Sequence, residues 1–344
     1  MRWFALVLLA ACGSHKVDLG DGAADVGIGC NQPQPLLAAT AAIPRLAAAA
    51  NGSHIAVGWT ADDATVGNAR ISLEGADHIA AVERDAYATT GNFTGVGIAM
   101  TADTTLFALG TQDGHTQLVV EGAAPTMTSV QLDAPGALTV TGATPPFALA
   151  GNDTAVGMAS IIGADGTGPV SIGSIAARLV ATRIKDGLAI IQVLSSNTCQ
   201  LVPIDIELTR AGTPIMFGAK KSQCTQAVAA YNDGTGEALL VRRDGDTGAI
   251  KSTIVHADRT LTAETTTAAA GSEPRAITTA TATWVSYANN GMLEVALVDA
   301  TGAPTKTLQL GAVSDPTGHA LVSTGTTAYA LWMADDLKIA RLCE

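Results

Sequence analysis

An all-β ring of repeated sheets is the architecture this sequence predicts, and three observations predict it. First, short apolar runs recur at 54–59, 95–100, 154–159, 188–193, 226–231, 283–288 and 328–333, starting 41, 59, 34, 38, 57 and 45 residues apart. Second, each is followed ten to twenty residues later by another strand-length run, at 69–75, 116–122, 168–174, 199–206, 237–244, 292–299 and 337–343. The runs are bounded by Gly, Asn, Asp and Thr, so they read as hairpins. Third, helix signatures are nearly absent. A repeat in the forties with four short strands per unit is the signature of a β-propeller. Seven four-stranded blades fit best, with six or eight compatible with the uneven spacing around 100–188.

Composition bounds the class. The chain has 344 residues, 47% hydrophobic and 15% charged, with 19 Lys+Arg against 31 Asp+Glu and a net charge of −12. The apolar fraction is that of a folded protein. An acidic chain with no basic stripe repels phosphate, which argues against nucleic acid as a partner. An outer-membrane β-barrel also alternates. Four Trp, four Tyr and five Phe are too few for its two aromatic girdles, however.

The N-terminus predicts export. Met1-Arg2 precedes an apolar stretch from Trp3 to Ala11, too short to span a bilayer but the size of a signal-peptide core. It ends Leu9-Ala10-Ala11-Cys12. These four residues resemble the lipobox of bacterial lipoproteins. The resemblance implies a signal peptide over 1–11, removal of that segment, and acylation of Cys12 (palmitate among its chains) as an anchor in the lipid bilayer. Gly13 stands where that family's inner-membrane retention Asp would be, which implies an outer-membrane lipoprotein of the cell envelope. An ordinary secretory signal is the alternative, and it exports the chain as well.

Residues 12–35 read as a flexible tether, polar and aperiodic, with the propeller domain expected over 36–344. Asp18, Asp21 and Asp25 lack the alternating ligands and closing Glu of a calcium loop, so they read as solvated spacer.

Within the repeats, the first run of each unit is apolar on both faces, as Ile55, Val57 and Trp59 alternate with Ala56 and Gly58. That is expected of an inner strand held between neighbouring blades. Trp59, Trp284 and Trp332 fall at equivalent positions and read as blade packing. The turns place Asp before Gly at 165–168, 233–236, 246–248 and 299–302. An Asp carboxylate can bind its own turn's N–H groups, and Gly accepts positive φ. These turns resemble the Asp-x-Thr-Gly turns of quinoprotein-type propeller repeats, without the tryptophan that follows in that family. The resemblance implies the shape of the repeat and no cofactor site.

The cysteines bear on closure. Setting Cys12 aside leaves Cys30, Cys199, Cys224 and Cys343, an even number in an exported chain, with three possible pairings. The last unit stops after its third strand, at about 338–342, and its missing outer strand is expected from 36–43. That arrangement brings Cys30 beside Cys343 and leaves Cys199 to pair with Cys224. No CxxC spacing and no histidine at zinc-ligand distance accompany them, so no metal site is expected.

Linear catalytic motifs are missing. His15, His54, His78, His115, His256 and His319 form no HExxH, and there is no Gly-x-Ser-x-Gly elbow or phosphate loop. Ser314 to Gly318 departs in spacing from the Asp-box of sialidases and reads as a turn. Asp62-Asp63 and Asp335-Asp336 read as strand-end turns, and Lys220-Lys221 and Arg242-Arg243 as an exposed face. No catalytic residue and no cofactor are therefore expected. The function expected is a membrane-tethered, non-catalytic binding or scaffold module for a protein, peptide or glycan. The alternative is an exported glycan hydrolase or lyase with acidic residues from several blades converging in the central funnel.

Overall fold

A computed structural model of the chain describes residues 24–38, 45–61, 65–74, 78–88, 93–100, 105–111, 115–121, 126–131, 138–141, 147–150, 158–163, 170–175, 178–184, 187–194, 198–204, 213–217 and 224–344. These residues form antiparallel strands in seven sheets. Numbering the sheets in ring order as blades 1 to 7, their first strands are Leu46–Asn51, Phe93–Met100, Leu138–Thr141, Arg178–Ile184, Gln226–Asn232, Ser272–Thr278 and His319–Ser323. Each of these touches the first strand of the next blade, and His319–Ser323 touches Leu46–Asn51, so the seven inner strands form a closed circle. The all-β propeller expected from the repeats is the fold.

The recurring apolar runs occupy a different strand from the one expected. His54–Thr60, Gly187–Val193, Thr283–Asn289 and Ala328–Met333 are the second strands of blades 1, 4, 6 and 7, while the runs in blades 2 and 5 are inner strands. In blade 3 the run at 154–159 lies mostly outside the described residues. Burial explains the difference. In blade 1 the second strand is buried from Ile55 through Thr60, whereas the inner strand Leu46–Asn51 is half-exposed beyond Leu46. Only the middle strands of a blade have both faces covered; the inner strand borders the central channel.

Period-two alternation assigns those faces. In Ala328–Met333, Ala328, Ala330 and Trp332 pack on Trp284, Leu293 and Val295 of blade 6. Tyr329, Leu331 and Met333 pack on Ile55, Val57 and Trp59 of blade 1. Fully burying one aliphatic or Phe side chain contributes about 1.5–3 kcal/mol, so the seams between blades carry much of the stability. Trp59, Trp284 and Trp332 are all at most 2% exposed and serve this packing.

Closure uses an N-terminal strand. Gln34–Leu37 pairs antiparallel with Leu337–Leu342 and supplies the outer strand of blade 7. It begins before the 36–43 expected, and Pro35 is tolerated because an outermost strand leaves N–H groups unused. The expected tether over 12–35 is also shortened. Ala24–Gly27 pairs with His78–Ala88 and adds a fifth strand to blade 1, so the N-terminal segment spans the junction of the first and last blades.

Cys30 and Cys343 are joined by a disulfide with a Cα–Cα distance of 5.5 Å. Asn31, at φ 57°, donates from Nδ2 to the Cys343 carbonyl (3.1 Å) and accepts from the Cys343 N–H (2.9 Å). A second disulfide joins Cys199, on the third strand of blade 4, to Cys224 just before the inner strand of blade 5, with a Cα–Cα distance of 5.8 Å. Cys12 lies outside the described residues.

The turns are clamped by side-chain oxygens, in part by other residues than expected. Asp299 Oδ1 accepts from the N–H and hydroxyl of Thr301 (2.8 and 2.6 Å) and from the Ala303 N–H (3.0 Å). In blade 5 the clamping groups are Asn232, ahead of Asp233, and Asp244, ahead of Asp246. Asp315 likewise binds Thr317, so Ser314–Gly318 is a turn. The turn at 165–168 lies outside the described residues.

Candidate functional site

In an antiparallel blade, the turns joining the first strand to the second and the third to the fourth lie at one end of the ring. Between blades 4 and 5 that end holds a small open cleft. Its floor is apolar: Leu201 and Pro203 on the third strand of blade 4, Ile215 on its fourth, and Ala238 and Val255 of blade 5. Tyr231, His256 and Arg259 of blade 5 complete the wall and rim.

Strand register brings the rim together. Glu237–Arg243 pairs with Ile250–Val255 so that Ala238 faces Val255, and one step outward Glu237 meets His256. The Glu237 Oε1 to His256 Nδ1 distance is 2.6 Å. The next residues form a tight loop: the His256 N–H donates to the Thr260 carbonyl (2.9 Å) and the Arg259 N–H to the His256 carbonyl (2.8 Å). Asp258 Oδ1 accepts from the Thr260 N–H (2.9 Å) and hydroxyl (2.7 Å), and these bonds hold its carboxyl below the usual range. Arg259 takes a left-handed backbone, φ 68°, which costs a non-glycine residue on the order of 1 kcal/mol. Its guanidinium makes no hydrogen bond or ion pair with any described residue.

A second, wider recess opens at the same end between blades 6 and 7. Thr281, Thr327, Arg341 and Cys343 line it, and the Thr281 hydroxyl donates to Glu344 Oε1 at 2.7 Å. On the inner strands described, the one acidic residue is Glu273. It pairs with Gln226 and, at 3.4 Å, with Arg275. Among the described residues no three His, Cys, Asp or Glu side chains gather as metal ligands would.

Arg242 corrects an expectation. Far from forming an exposed basic face, it is 2% exposed and bridges Asp244 (3.1 Å) and Glu264 (2.6 Å). Arg243 donates to the Gly271 carbonyl at 2.9 Å. Lys220-Lys221 and Asp62-Asp63 lie outside the described residues. Sequence reasoning missed the Glu237–His256 pair, which a mirror reading about the 244–249 turn would have found.

No protein-family model matches the chain, and no curated protein is similar to it in sequence. Solved structures are similar in fold. SapL1 lectin, in complex with alpha methyl fucoside, superposes with a TM-score of 0.55 at 14% identity over 80% of this chain and 98% of the lectin. BBS1N, in complex with ARL6DN, gives 0.58 at 11% identity over 93% of this chain and 98% of BBS1N. BamB from Moraxella catarrhalis gives 0.51 at 13% identity over 86% of this chain and 84% of BamB. Identities this low describe architecture alone. The chain is a β-propeller protein.

Proposed function

We propose that this chain is an extracytoplasmic binding module tethered to a membrane through Cys12, taking its ligand at the end of the ring that carries the cleft between blades 4 and 5. The observation that carries this reading is the cleft itself: an apolar recess whose rim presents Arg259, without a partner among the described residues, and His256 beside Glu237. Proteins of the same fold accompany a methyl fucoside in one structure and a protein, ARL6DN, in another, which supports a binding role for this one.

The leader supports the address. Residues 1–11 act as signal peptide, Cys12 carries the acyl chains, and residues to about 23 serve as spacer before the ring begins at Ala24. Several chains at about 0.8 kcal/mol per buried CH2 make such an anchor durable. Gly13 directs it to the outer membrane. Two disulfides suit an oxidising compartment. A hydrolase or lyase site in the central funnel requires two or three converging carboxylates. The described inner strands supply Glu273, already tied to Gln226 and Arg275.

Two measurements on living cells test the proposal. Palmitate labelling sensitive to globomycin is expected in the wild type and lost in Cys12→Ser; no label in either overturns the anchor. A photo-crosslinking residue at Thr260, exposed beside the cleft, is expected to capture an envelope component. The same residue at Asn290, on a turn at the other end of the ring, is expected to capture none. Equal capture at both, or none at Thr260, overturns the binding site.

A further inference from the structure

We propose that the cleft between blades 4 and 5 takes an apolar residue bearing a free carboxylate, as presented by the C-terminus of a peptide ending in Leu or Phe. The inference rests on the binding-module reading above and names the ligand's chemistry.

Three features converge on that chemistry. The floor of Leu201, Pro203, Ile215 and Val255 offers a side chain only apolar contact, so its occupant gains by leaving water. Among the described residues, the rim then supplies one cation without a partner. Both carboxylates beside it are engaged, Glu237 by His256 and Asp258 by Thr260, whereas the Arg259 guanidinium has no partner among the described residues. A guanidinium matches a carboxylate through two parallel N–H···O bonds. In a chain of net charge −12, an arginine with no partner among the described residues, at the mouth of an apolar cleft, selects for an anion on an otherwise apolar ligand.

His256 distinguishes a peptide from a simple fatty acid. Its Nδ1 faces a Glu237 oxygen at 2.6 Å, so in the neutral ring Nδ1 carries the hydrogen and Nε2 is an acceptor. In that form Nε2 can accept from the N–H of the ligand's terminal residue. The loop is pre-organised for this, because the His256 and Arg259 N–H groups and the Asp258 carboxylate are all used in holding 256–260 in shape. The strained backbone at Arg259 belongs with that fixed presentation.

Fluorescence anisotropy on the full mature chain, with disulfides intact and in detergent, tests the inference. The probes are fluorescein-labelled Gly-Ser-Gly-Phe with a free carboxylate and the same peptide as its C-terminal amide. The acid is expected to bind at least about tenfold more tightly, the usual weight of a charged hydrogen-bonded pair. Arg259→Gln is expected to erase that preference and Arg259→Lys to keep part of it. Ala257→Trp, an exposed position at the mouth, is expected to block both probes while leaving the far-UV spectrum and melting temperature unchanged. Equal affinity for acid and amide, or a preference that survives Arg259→Gln, overturns the proposal. If neither peptide binds while Thr260 still crosslinks on cells, the ligand class is wrong and the binding module stands; if both fail, both readings fall.

Discussion

His319 and Trp332 stand directly opposite each other on the first two strands of blade 7, and both are completely buried. Direct partners on neighbouring strands share a face of the sheet, here the face turned to blade 6, where Trp332 meets Trp284. His319 Nδ1 lies 2.9 Å from the Pro316 carbonyl, so it carries the hydrogen and fixes the tautomer. Its Nε2 and the Trp332 Nε1 have no hydrogen-bond partner among the described residues. The seam is built around a neutral imidazole.

That neutrality makes the fold acid-sensitive. Burial, then the nearby Arg275 charge, lowers the His319 pKa to about 3, against 6.5 ordinarily. The unfolded chain therefore takes up a proton that the folded one refuses. The stability this withholds is fully present above pH 6.5 and lost as pH falls from there towards 3. At about 1.4 kcal/mol for each tenfold change in proton affinity, the loss has an upper bound of about 4–5 kcal/mol. Urea unfolding from pH 7 to 4 is expected to show wild type losing more stability than His319→Leu; parallel curves would remove His319 as the cause.

The blade 5 ion network is expected to be costly to break. Burial works to raise the Asp244 pKa, but hydrogen bonds from the Thr247 N–H and hydroxyl and from Arg242 outweigh it and hold it at about 2. Its contribution is present above pH 3.8 and disappears as pH falls through 2. Asp244→Ala strips the 244–248 turn of its clamp and takes one carboxylate partner from the buried Arg242. The expected loss at neutral pH is about 3–5 kcal/mol, read as a fall in the urea midpoint.

The two disulfides are expected to differ in weight. Cys30–Cys343 closes 313 residues and Cys199–Cys224 closes 25. In the chain-entropy description the shorter loop gives about 3.5 kcal/mol and the longer one more. Cys30→Ser is therefore expected to lower stability more than Cys199→Ser, each without its partner cysteine. Hydrogen exchange is expected to quicken first in Gln34–Leu37 and Leu337–Leu342, the strands that close the ring; exchange that quickens uniformly would argue against that clasp.

Gly67 is expected to tolerate no side chain. A Cβ there would collide with the Trp59 ring, which is 2% exposed and wedged in the seam. Gly67→Ala forces the indole out of place, at an expected cost of about 1–3 kcal/mol, measurable as a lower melting temperature. The double variant Gly67→Ala/Trp59→Phe is expected to recover part of that loss.

What could be read in advance follows from how local each feature is. The alternation in Ala328–Met333 is a property of neighbouring residues, and it marks a strand covered on both faces whatever surrounds it. Which strand of the blade it forms depends on how the sheet is ordered about the axis, so a pattern that suggests the innermost strand mostly belongs one strand out. The Asp299 turn was legible because the carboxylate binds N–H groups within four residues. The burial of Arg242 was not, because Glu264 reaches it from another strand of the sheet.

The sequence by itself determined the strand content, the ring architecture and the pairing of Cys30 with Cys343, since period-two patterning, turn chemistry and an interrupted last repeat act locally or count along the chain. Only the tertiary structure decided where a cleft opens between blades. The cleft exists because blade 4 contributes Leu201 and Ile215 while blade 5 contributes Tyr231, His256 and Arg259, and the angle between two packed sheets sets the gap they share. No spacing along one chain encodes that gap; it arises when seven twisted sheets close into a circle.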